Sequence, residues 1–289
     1  MVLAVDIGNS SISCGVFQRP DTLSLHQQEP KCVCRFKIAS KQLSADEYLL
    51  LFSQFLHFHR IRPADSFFDF NDTLIPTKTD RTLHSCVIAS VVPSLTDMIT
   101  KICRTLTGSQ PMLISPGIRT GFGIKIRNPE QLGADIVANI AGAFLFAEAP
   151  FVVLDVGTAT TITFVNVNKE LTGTIIIPGL SVSMAALTDS AALLSPAGLE
   201  HPQELLGKTT NEAIRSGVVG GHAIMIDGFL RNIREQYNAE INDQKLQLIA
   251  TGGLANAVLP YCRNKFCYTE DLTLLGALHL LLKNKMVND

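Results

Sequence analysis

The stretch VLAVDIGNSS at residues 2–11 decides how this chain is interpreted, together with ISCGVF at residues 12–17. A short apolar run predicts a buried strand that ends at Asp6, and the chain passes Gly8 and small polar residues before it becomes apolar again. We therefore predict a β-hairpin with an acidic, glycine-containing corner. Such a corner suits phosphate chemistry, because glycine lets N–H groups approach an oxygen and a carboxylate can hold a cation. Ordinary tight turns prefer the same residue types, so this stretch alone leaves both interpretations open.

A second corner of the same plan occurs far along the chain, in FVVLDVGTATT at residues 151–161, followed by ITFV at residues 162–165. Two such corners predict two related half-structures facing each other across a cleft. The pair resembles the superfamily of acetate and sugar kinases, Hsc70 and actin. This resemblance implies an α/β fold of two ribonuclease H-like domains, in which the corners bind nucleotide phosphates and metal.

Length and composition exclude several classes of protein. A chain of 289 residues suits one large or two modest domains, and a formal net charge of −2 indicates neither a nucleic-acid partner nor a membrane surface. No apolar run reaches the roughly 18 residues of a spanning helix, and Asp6 interrupts the first run too early for a secretion signal. The seven cysteines have scattered spacing without a zinc pattern, which favours reduced core thiols in a cytoplasmic protein.

Strands alternate with helices along the chain, as in α/β proteins. Helices are predicted over residues 44–59, 94–107, 128–148, 209–237 and 271–285, and further strands over 84–90, 111–115, 171–177 and 246–250. Residues 65–83 are polar without a clear period and predict a surface loop. A shift in composition near residue 116 predicts the domain boundary. Residues 1–116 form the N-terminal phosphate-binding domain in this interpretation, and residues 117–289 hold the acceptor site and the second corner.

Asp135 is the most distinctive acid outside the corners, because it lies near the start of an otherwise apolar, small-residue helix. A partly desolvated carboxylate aimed into a cleft suits a general base. A first-turn acid that interacts with the helix dipole has the same pattern. Similarly, the junction of a strand with Thr251, Gly252 and Gly253 predicts either a nucleotide site at a helix N-terminus or a simple tight turn.

The chain resembles the type III pantothenate kinases, whose motifs it contains nearly complete, in order and across almost its full length. The matching segments are DIGNS at 6–10, PGIRTG at 116–121, NPEQLGAD at 128–135, DVGTATT at 155–161, PGL at 178–180, GKTT at 207–210 and TGGLA at 251–255. The resemblance implies phosphorylation of pantothenate to 4'-phosphopantothenate, the first step of coenzyme A biosynthesis. It also implies ATP with Mg²⁺, a monovalent cation (K⁺ or NH₄⁺) and a homodimer.

The same resemblance assigns roles to individual residues. Asp135 would be the catalytic base, Asp155 would hold the monovalent cation, and Thr158 would contact ATP. The first phosphate loop would consist of Asp6, Ile7, Gly8, Asn9, Ser10, Ser11, Ile12 and Ser13. The acceptor pocket would consist of Gly133, Ala134, Asp135, Ile136 and Thr210.

Two departures from the family pattern lie on the acceptor side. Ile136 stands where the family has Arg, and Ile126 stands where it often has Tyr. Each lost charged hydrogen bond costs about 1.5–3 kcal/mol, which predicts weaker binding of an anionic acceptor. A kinase for another small hydroxyl compound and a nucleotide-binding regulatory homologue are therefore alternatives. A sugar kinase or an Hsc70-like ATPase is disfavoured by the short chain and the G-A-D segment.

Overall fold

The computed structural model describes residues 1–18, 30–64, 81–190, 198–200, 202, 204–242 and 244–285. The predicted loop over residues 65–83 lies almost entirely outside these ranges. The described strands are β1 (Val2–Ile7), β2 (Ser11–Phe17), β3 (Cys32–Ala39), β4 (Ser85–Ser90), β5 (Met112–Leu113), β6 (Gly123–Ile124), β7 (Phe151–Val156), β8 (Ala159–Val165), β9 (Glu170–Pro178), β10 (Gln247–Thr251) and β11 (Cys267–Tyr268). The described helices are α1 (Ala45–Phe58), α2 (Pro93–Thr107), α3 (Ala134–Ala143), α4 (Leu180–Ser190), α5 (Thr210–Arg215), α6 (Gly221–Gln236), α7 (Asn238–Ile241), α8 (Ala255–Val258) and α9 (Leu272–Lys285).

The chain forms two compact units. Unit 1 comprises Met1–Gly121, Glu130–Leu145 and Leu272–Asp289, and unit 2 comprises Phe122–Pro129 and Phe146–Asp271. The predicted boundary near residue 116 is close to the end of the first segment of unit 1. The structure differs from the predicted division in that α3 and α9 pack in unit 1, where both contact β4. Among the described residues, no helix has both the length and the apolar character that crossing a membrane requires.

The sheet of unit 1 has the strand order β3-β2-β1-β4-β5. The first three strands form an antiparallel meander, whereas β4 and β5 run parallel to β1. Helix α1 begins as predicted with a capping box, in which Ser44 accepts from the N–H of Glu47 and Glu47 accepts from the N–H of Ser44. Its side chains Tyr48, Phe52 and Leu56 recur every four residues and are buried against the sheet side of the core.

Helix α3 is shorter than the predicted helix over residues 128–148. Pro129–Gln131 form a single 3₁₀ turn, and Gly133 has extended backbone angles that separate this turn from the α-helix. The helix then buries nearly every side chain, which agrees with its apolar composition. Helix α9 packs beside it, and Thr273 Oγ1 donates a hydrogen bond of 2.7 Å to Asn139 Oδ1. This bond satisfies a buried amide oxygen within unit 1.

The sheet of unit 2 has the order β11-β10-β7-β8-β9-β6. Strands β7, β8 and β9 form an antiparallel meander, and β10 and β11 run parallel to β7. The strand order β3-β2-β1-β4-β5 of unit 1 therefore recurs in unit 2 as β9-β8-β7-β10-β11. This repetition agrees with the two related half-structures that the sequence predicts.

A π-helix over Ser216–Gly220 connects α5 to α6. The sequence predicted one interrupted helix in this region, and the interruption lies where its glycines are. A π turn adds one residue to the ordinary helical turn and so changes the direction in which the following side chains point. The side chains of α6 that face the sheet, including Ile226 and Leu230, belong to the core of unit 2.

Candidate active site

The first corner closes the hairpin of β1 and β2 in unit 1. Asp6 pairs with Ser13 and Ile7 pairs with Ile12, so the turn encloses residues 8–11. The Gly8 N–H donates to the Ser11 carbonyl at 3.0 Å, and Ser40 Oγ donates to the Gly8 carbonyl at 2.6 Å. These two hydrogen bonds therefore hold the turn in its conformation without a ligand.

The side chains of this corner divide into two groups. Ile7 and Ile12 are fully buried in the core, so of the predicted phosphate loop these two residues offer a ligand only their backbone. Asn9 and Ser10 are exposed, while Asp6, Gly8, Ser11 and Ser13 are half-buried. The amide and hydroxyl groups of this turn are suited to phosphate oxygens.

Asp135 lies in the first turn of α3, half-buried, with Ile136 N–H donating to its Oδ1 at 2.8 Å. Burial raises the pKa of the Asp135 carboxyl, while this hydrogen bond and the one from its own N–H partly offset the rise. A Cβ at Gly133 would collide with the Asp135 carboxylate, so any other residue there would move the carboxylate from this position. The N-cap glycine of the G-A-D motif therefore shapes the position of the acid that follows it.

Within unit 1, Asp135 and the first corner lie at the same edge of the sheet. The Val91 N–H donates to the Ile7 carbonyl at 3.1 Å, immediately beside the corner. The Cγ1 of Val91 is also 3.6 Å from the position that a Cβ on Gly133 would take. The structure thus brings together two motifs that are more than a hundred residues apart in sequence, around the carboxyl ends of β1 and β4.

The second corner closes the hairpin of β7 and β8 in unit 2. Val156 pairs with Thr160, and the Gly157 N–H donates to the Ala159 carbonyl at 3.1 Å. This turn encloses residues 157–159 and is one residue shorter than the first. Asp155 is half-buried and Thr158 is exposed, as a cation ligand and an ATP contact need to be.

Two further predicted motifs gather at the second corner. The Gly179 N–H of the P-G-L turn donates to the Thr158 carbonyl at 3.1 Å. Gly252 has φ +99°, and a Cβ there would lie 2.5 Å from the Val156 backbone and 2.6 Å from Asp155 Oδ1. Gly252 is therefore required for the close approach of β10 to the corner.

The helix after this Gly-Gly pair is α8, which has only four residues. It lacks the aligned peptide dipoles that would give its N-terminus a strong positive potential. Of the two interpretations of TGGLA, the structure favours a tight turn that packs a glycine against the second corner.

Thr210 and the two isoleucines complete the predicted acceptor residues. Thr210 is exposed in the first turn of α5, where Thr209 and Glu212 form a capping box. Ile136 is buried with 7% exposure, and Ile126 is half-buried. The structure places Gly133, Ala134, Asp135 and Ile136 in unit 1 and Thr210 in unit 2.

One residue near the second corner was not predicted. His222, in the first turn of α6, makes a buried hydrogen bond of 2.9 Å from its Nε2 to Thr160 Oγ1. Burial lowers the pKa of His222, which favours the neutral ring. The only sequence signal was a lone polar ring among the small residues of a glycine-rich helix.

The corners fit the groups that the resemblance implies. Among the described residues, no three His, Cys, Asp or Glu side chains cluster as a metal site. Each corner instead offers one carboxylate with neighbouring hydroxyl and backbone groups. Mg²⁺ is typically held by one or two carboxylates together with the substrate's own phosphates, so a single carboxylate per corner suits Mg²⁺ that arrives with ATP.

Comparisons with known proteins decide the family. The family model described as type III pantothenate kinase matches residues 2–232. The chain belongs to the type III pantothenate kinase family. The member of this family from Shouchella clausii is 34% identical over 286 residues, covering 99% of this chain and all of the relative. The member from Thermobifida fusca is 30% identical over 286 residues, covering 98% of this chain and all of the relative.

A solved structure supports the fold. The structure described as a Baf family transcriptional activator from Campylobacter jejuni superposes with a TM-score of 0.56 at 17% identity, covering 98% of this chain and 99% of that one. At this identity the likeness concerns the fold alone. The predicted family is confirmed, and so is the predicted α/β class with two half-structures of related strand order.

Proposed function

We propose that this protein phosphorylates pantothenate with ATP, giving 4'-phosphopantothenate, in the cytoplasm. The observation that carries this proposal is the position of Asp135, a half-buried carboxylate beside the first corner in a chain of the type III pantothenate kinase family. Phosphoryl transfer needs positioning and charge stabilisation more than covalent catalysis. The seven cysteines are free thiols, in keeping with a reducing compartment.

Asp135 is assigned as the base that takes the proton of the acceptor hydroxyl. Its raised pKa makes it a stronger base than an exposed aspartate. The Ile136 N–H holds Oδ1 at 2.8 Å and fixes the orientation of the carboxylate. Removal of the proton as the new P–O bond forms leaves the acceptor oxygen free to receive the phosphoryl group.

The two corners are assigned to the nucleotide and its cations. In unit 1, the side chains of Asn9, Ser10, Ser11 and Ser13 would donate to phosphate oxygens, and the Asp6 carboxylate would bind the metal. In unit 2, Thr158 would contact ATP and Asp155 would hold the monovalent cation. The cation, when bound, supplies positive charge that stabilises the transferring phosphoryl group.

Burial of Ile136 favours one alternative acceptor class. An isoleucine in place of a guanidinium removes a charged contact to an anionic acceptor. A kinase that acts on another small hydroxyl compound, with the same base and corners, is therefore the second candidate. A regulatory nucleotide-binding role would retain the corners but show no turnover.

We also propose that the protein acts as a homodimer through unit 2. Large apolar side chains are exposed there on β9, on the segment before α5 and on α6: Ile176 at 67%, Leu205 at 71%, Leu206 at 81% and Ile224 at 62%. A contiguous exposed apolar patch typically marks an interface, and we propose that these side chains form one. Ser216 Oγ donates to the Leu205 carbonyl and so ties this segment to the π-helix. Light scattering on the parent and on Ile224→Glu would test this, and a monomeric parent would contradict the dimer.

The test of the activity is ADP release from ATP with and without pantothenate, with mass spectrometry of the product. We expect pantothenate to stimulate ADP release and to gain one phosphoryl group. Release that is stimulated only by a different hydroxyl compound would support the second candidate. Nucleotide binding without release under any condition would support the regulatory role.

A further inference from the structure

A cleft of about 370 Å³ lies in unit 2 at the amino ends of β7 and β10. Its volume is within the range of small-molecule sites. Asp155 and Thr251, at the carboxyl ends of the same strands, belong to the second corner, and β10 alone separates the two ends by about 13 Å. None of the motifs discussed above contributes to this basic cleft. Its polar and charged lining residues are Arg234, Lys245, Gln247, Asn264, Lys265 and Cys267.

The charge of the basic cleft has one sign. Arg234, Lys245 and Lys265 supply three positive charges, and no acidic residue is among the described residues that line it. Both lysines are exposed, and neither forms an ion pair with a described residue. A concave wall whose lining residues carry charge of one sign concentrates ions of the other.

The arginine of the basic cleft is held in place. Its Nη2 donates to Asn264 Oδ1 at 2.9 Å. Asn264 is itself fixed, because its Nδ2 and its backbone N–H both donate to Asp227 Oδ1, at 2.5 and 3.3 Å. The Arg263 N–H donates to the other oxygen of Asp227 at 2.7 Å. The Asp227 carboxylate therefore holds the loop whose Asn264 side chain accepts from Arg234, and this hydrogen bond favours one orientation of the exposed guanidinium.

We propose that the basic cleft binds a small anion that carries phosphate groups. A phosphate offers several acceptor oxygens and more than one negative charge, which matches one guanidinium and two ammonium groups that line the same cleft. The hydrophobic part of the lining, including Phe146 and Leu248, provides room for the rest of such a molecule. This site is additional to the nucleotide corners and does not depend on the proposed kinase activity.

The exposed thiol of Cys267 allows a local test with inorganic pyrophosphate as the probe. Alkylation of Cys267 by iodoacetamide is followed by peptide mass spectrometry, with ionic strength matched by sodium chloride. We expect occupancy to slow the reaction by 1 + [L]/Kd, about fivefold at four times Kd, while Cys32 in unit 1 reacts at an unchanged rate. Absence of protection at Cys267, or equal slowing of both cysteines, would overturn the proposal.

Variants that remove charge from the basic cleft distinguish binding at this cleft from general screening of the protein's charges by the added anion. The double variant Lys245→Gln with Lys265→Gln should require about tenfold or more pyrophosphate for the same protection, a loss expected when charged contacts are removed. The matched control is Lys41→Gln with Lys101→Gln, which removes two exposed lysines from unit 1 and should protect like the parent. Equal protection in both double variants would show that the basic cleft is not the site. Melting curves of both double variants would check that the substitutions leave the fold intact.

Discussion

Gly142 of α3 and Gly276 of α9 meet backbone to backbone where the two helices cross. A Cβ on Gly276 would lie 2.7 Å from the Gly142 nitrogen, and one on Gly142 would lie 3.2 Å from the Gly276 nitrogen. Real Cβ atoms do not approach as closely as the first distance, and a Cβ on Gly142 would also overlap the Leu272 carbonyl oxygen, so the helices can be this close only with glycine at both positions. The crossing holds the helix that carries Asp135, with the Thr273–Asn139 hydrogen bond beside it.

Gly276→Ala should therefore destabilise the protein although alanine favours helix. The new methyl group would overlap the Ala138 carbonyl oxygen, and overpacking costs about 1–3 kcal/mol. Gly228→Ala is the matched control, since it lies in α6 with no atom within 4 Å of the added Cβ. That control should stabilise by up to about 1 kcal/mol from helix propensity. Urea unfolding measures both, and equal effects would contradict the close crossing.

Asp135→Asn should abolish phosphoryl transfer and leave the fold intact. Loss of a general base typically lowers kcat by about 10²–10⁴-fold. Asparagine keeps an oxygen that accepts from the Ile136 N–H, so the local geometry survives. Steady-state kinetics test this, and turnover within a few-fold of the parent would favour the helix-dipole interpretation instead.

The same substitution should change how stability depends on pH. Burial raises the pKa of Asp135 in the folded state above its unfolded value. Stability relative to the asparagine variant is therefore lost as the pH rises through the folded-state pKa. We expect Asp135→Asn to be more stable than the parent at neutral pH and to lose this advantage in acid. Melting curves across pH measure it, and a parallel offset at all pH values would contradict burial as the cause.

Asp155→Ala should lose the dependence on K⁺ or NH₄⁺ together with most activity, because this carboxylate is the natural cation ligand of the second corner. Activity is measured with each ion and in a buffer that contains neither. Thr158→Ala, three positions further along, is the control that should weaken ATP binding but keep the response to the ion. A parent that is fully active without either ion would contradict the role of Asp155.

Ile136→Arg with Ile126→Tyr should lower the KM for pantothenate more than it changes kcat, since neither side chain transfers a proton. Ile136 is buried, so an arginine there without an acceptor nearby would destabilise α3. Ile136→Met is the control for packing alone and should leave KM unchanged. If the double variant folds but its KM for pantothenate does not fall, and the parent already binds pantothenate tightly, the pocket uses other contacts. Arg119, Lys125 and Arg127 would then be the next residues to test.

His222→Phe and Thr160→Val should each destabilise by about 1–3 kcal/mol, because each leaves a buried partner without its hydrogen bond. The double variant should lose less than the sum. Burial lowers the pKa of His222 below the 6.5 of an ordinary histidine. The parent should therefore become less stable as pH falls below about 6.5, and His222→Phe should remove that slope. Additive losses in urea unfolding would indicate that the pair is not coupled.

The hairpin corners were predictable because their signal is local. A strand, an acid, a glycine and a second strand follow one another within about fifteen residues, and turn chemistry acts over that range. The same holds for α1, whose capping box Ser44 and Glu47 form as predicted. The association of Gly252 and Gly179 with the second corner is different. It depends on how strands distant in sequence pair, which their composition does not show.

The sequence could not predict the extent of α3 or the hydrogen bond between His222 and Thr160, and the reason is similar. Asn128 and Pro129 are good helix starters, but the extended conformation of Gly133 gives the helix a new start five residues later. Nothing in local propensity predicts this, since the conformation is adjusted to seat the Asp135 carboxylate. The π-helix likewise sets the direction of His222, and only the packed structure shows that Thr160 lies opposite.

The assignment of α9 to unit 1 has a consequence for biosynthesis. Most of unit 2 is a continuous segment, whereas unit 1 needs its last helix, which leaves the ribosome after that segment. During translation unit 2 can complete its core first, while the apolar surfaces of α3 and β4 stay uncovered until α9 has been synthesised. Until then these surfaces are accessible to chaperones. A ribosome stalled before residue 272 would carry a chain in which unit 2 can fold and unit 1 cannot yet complete its core.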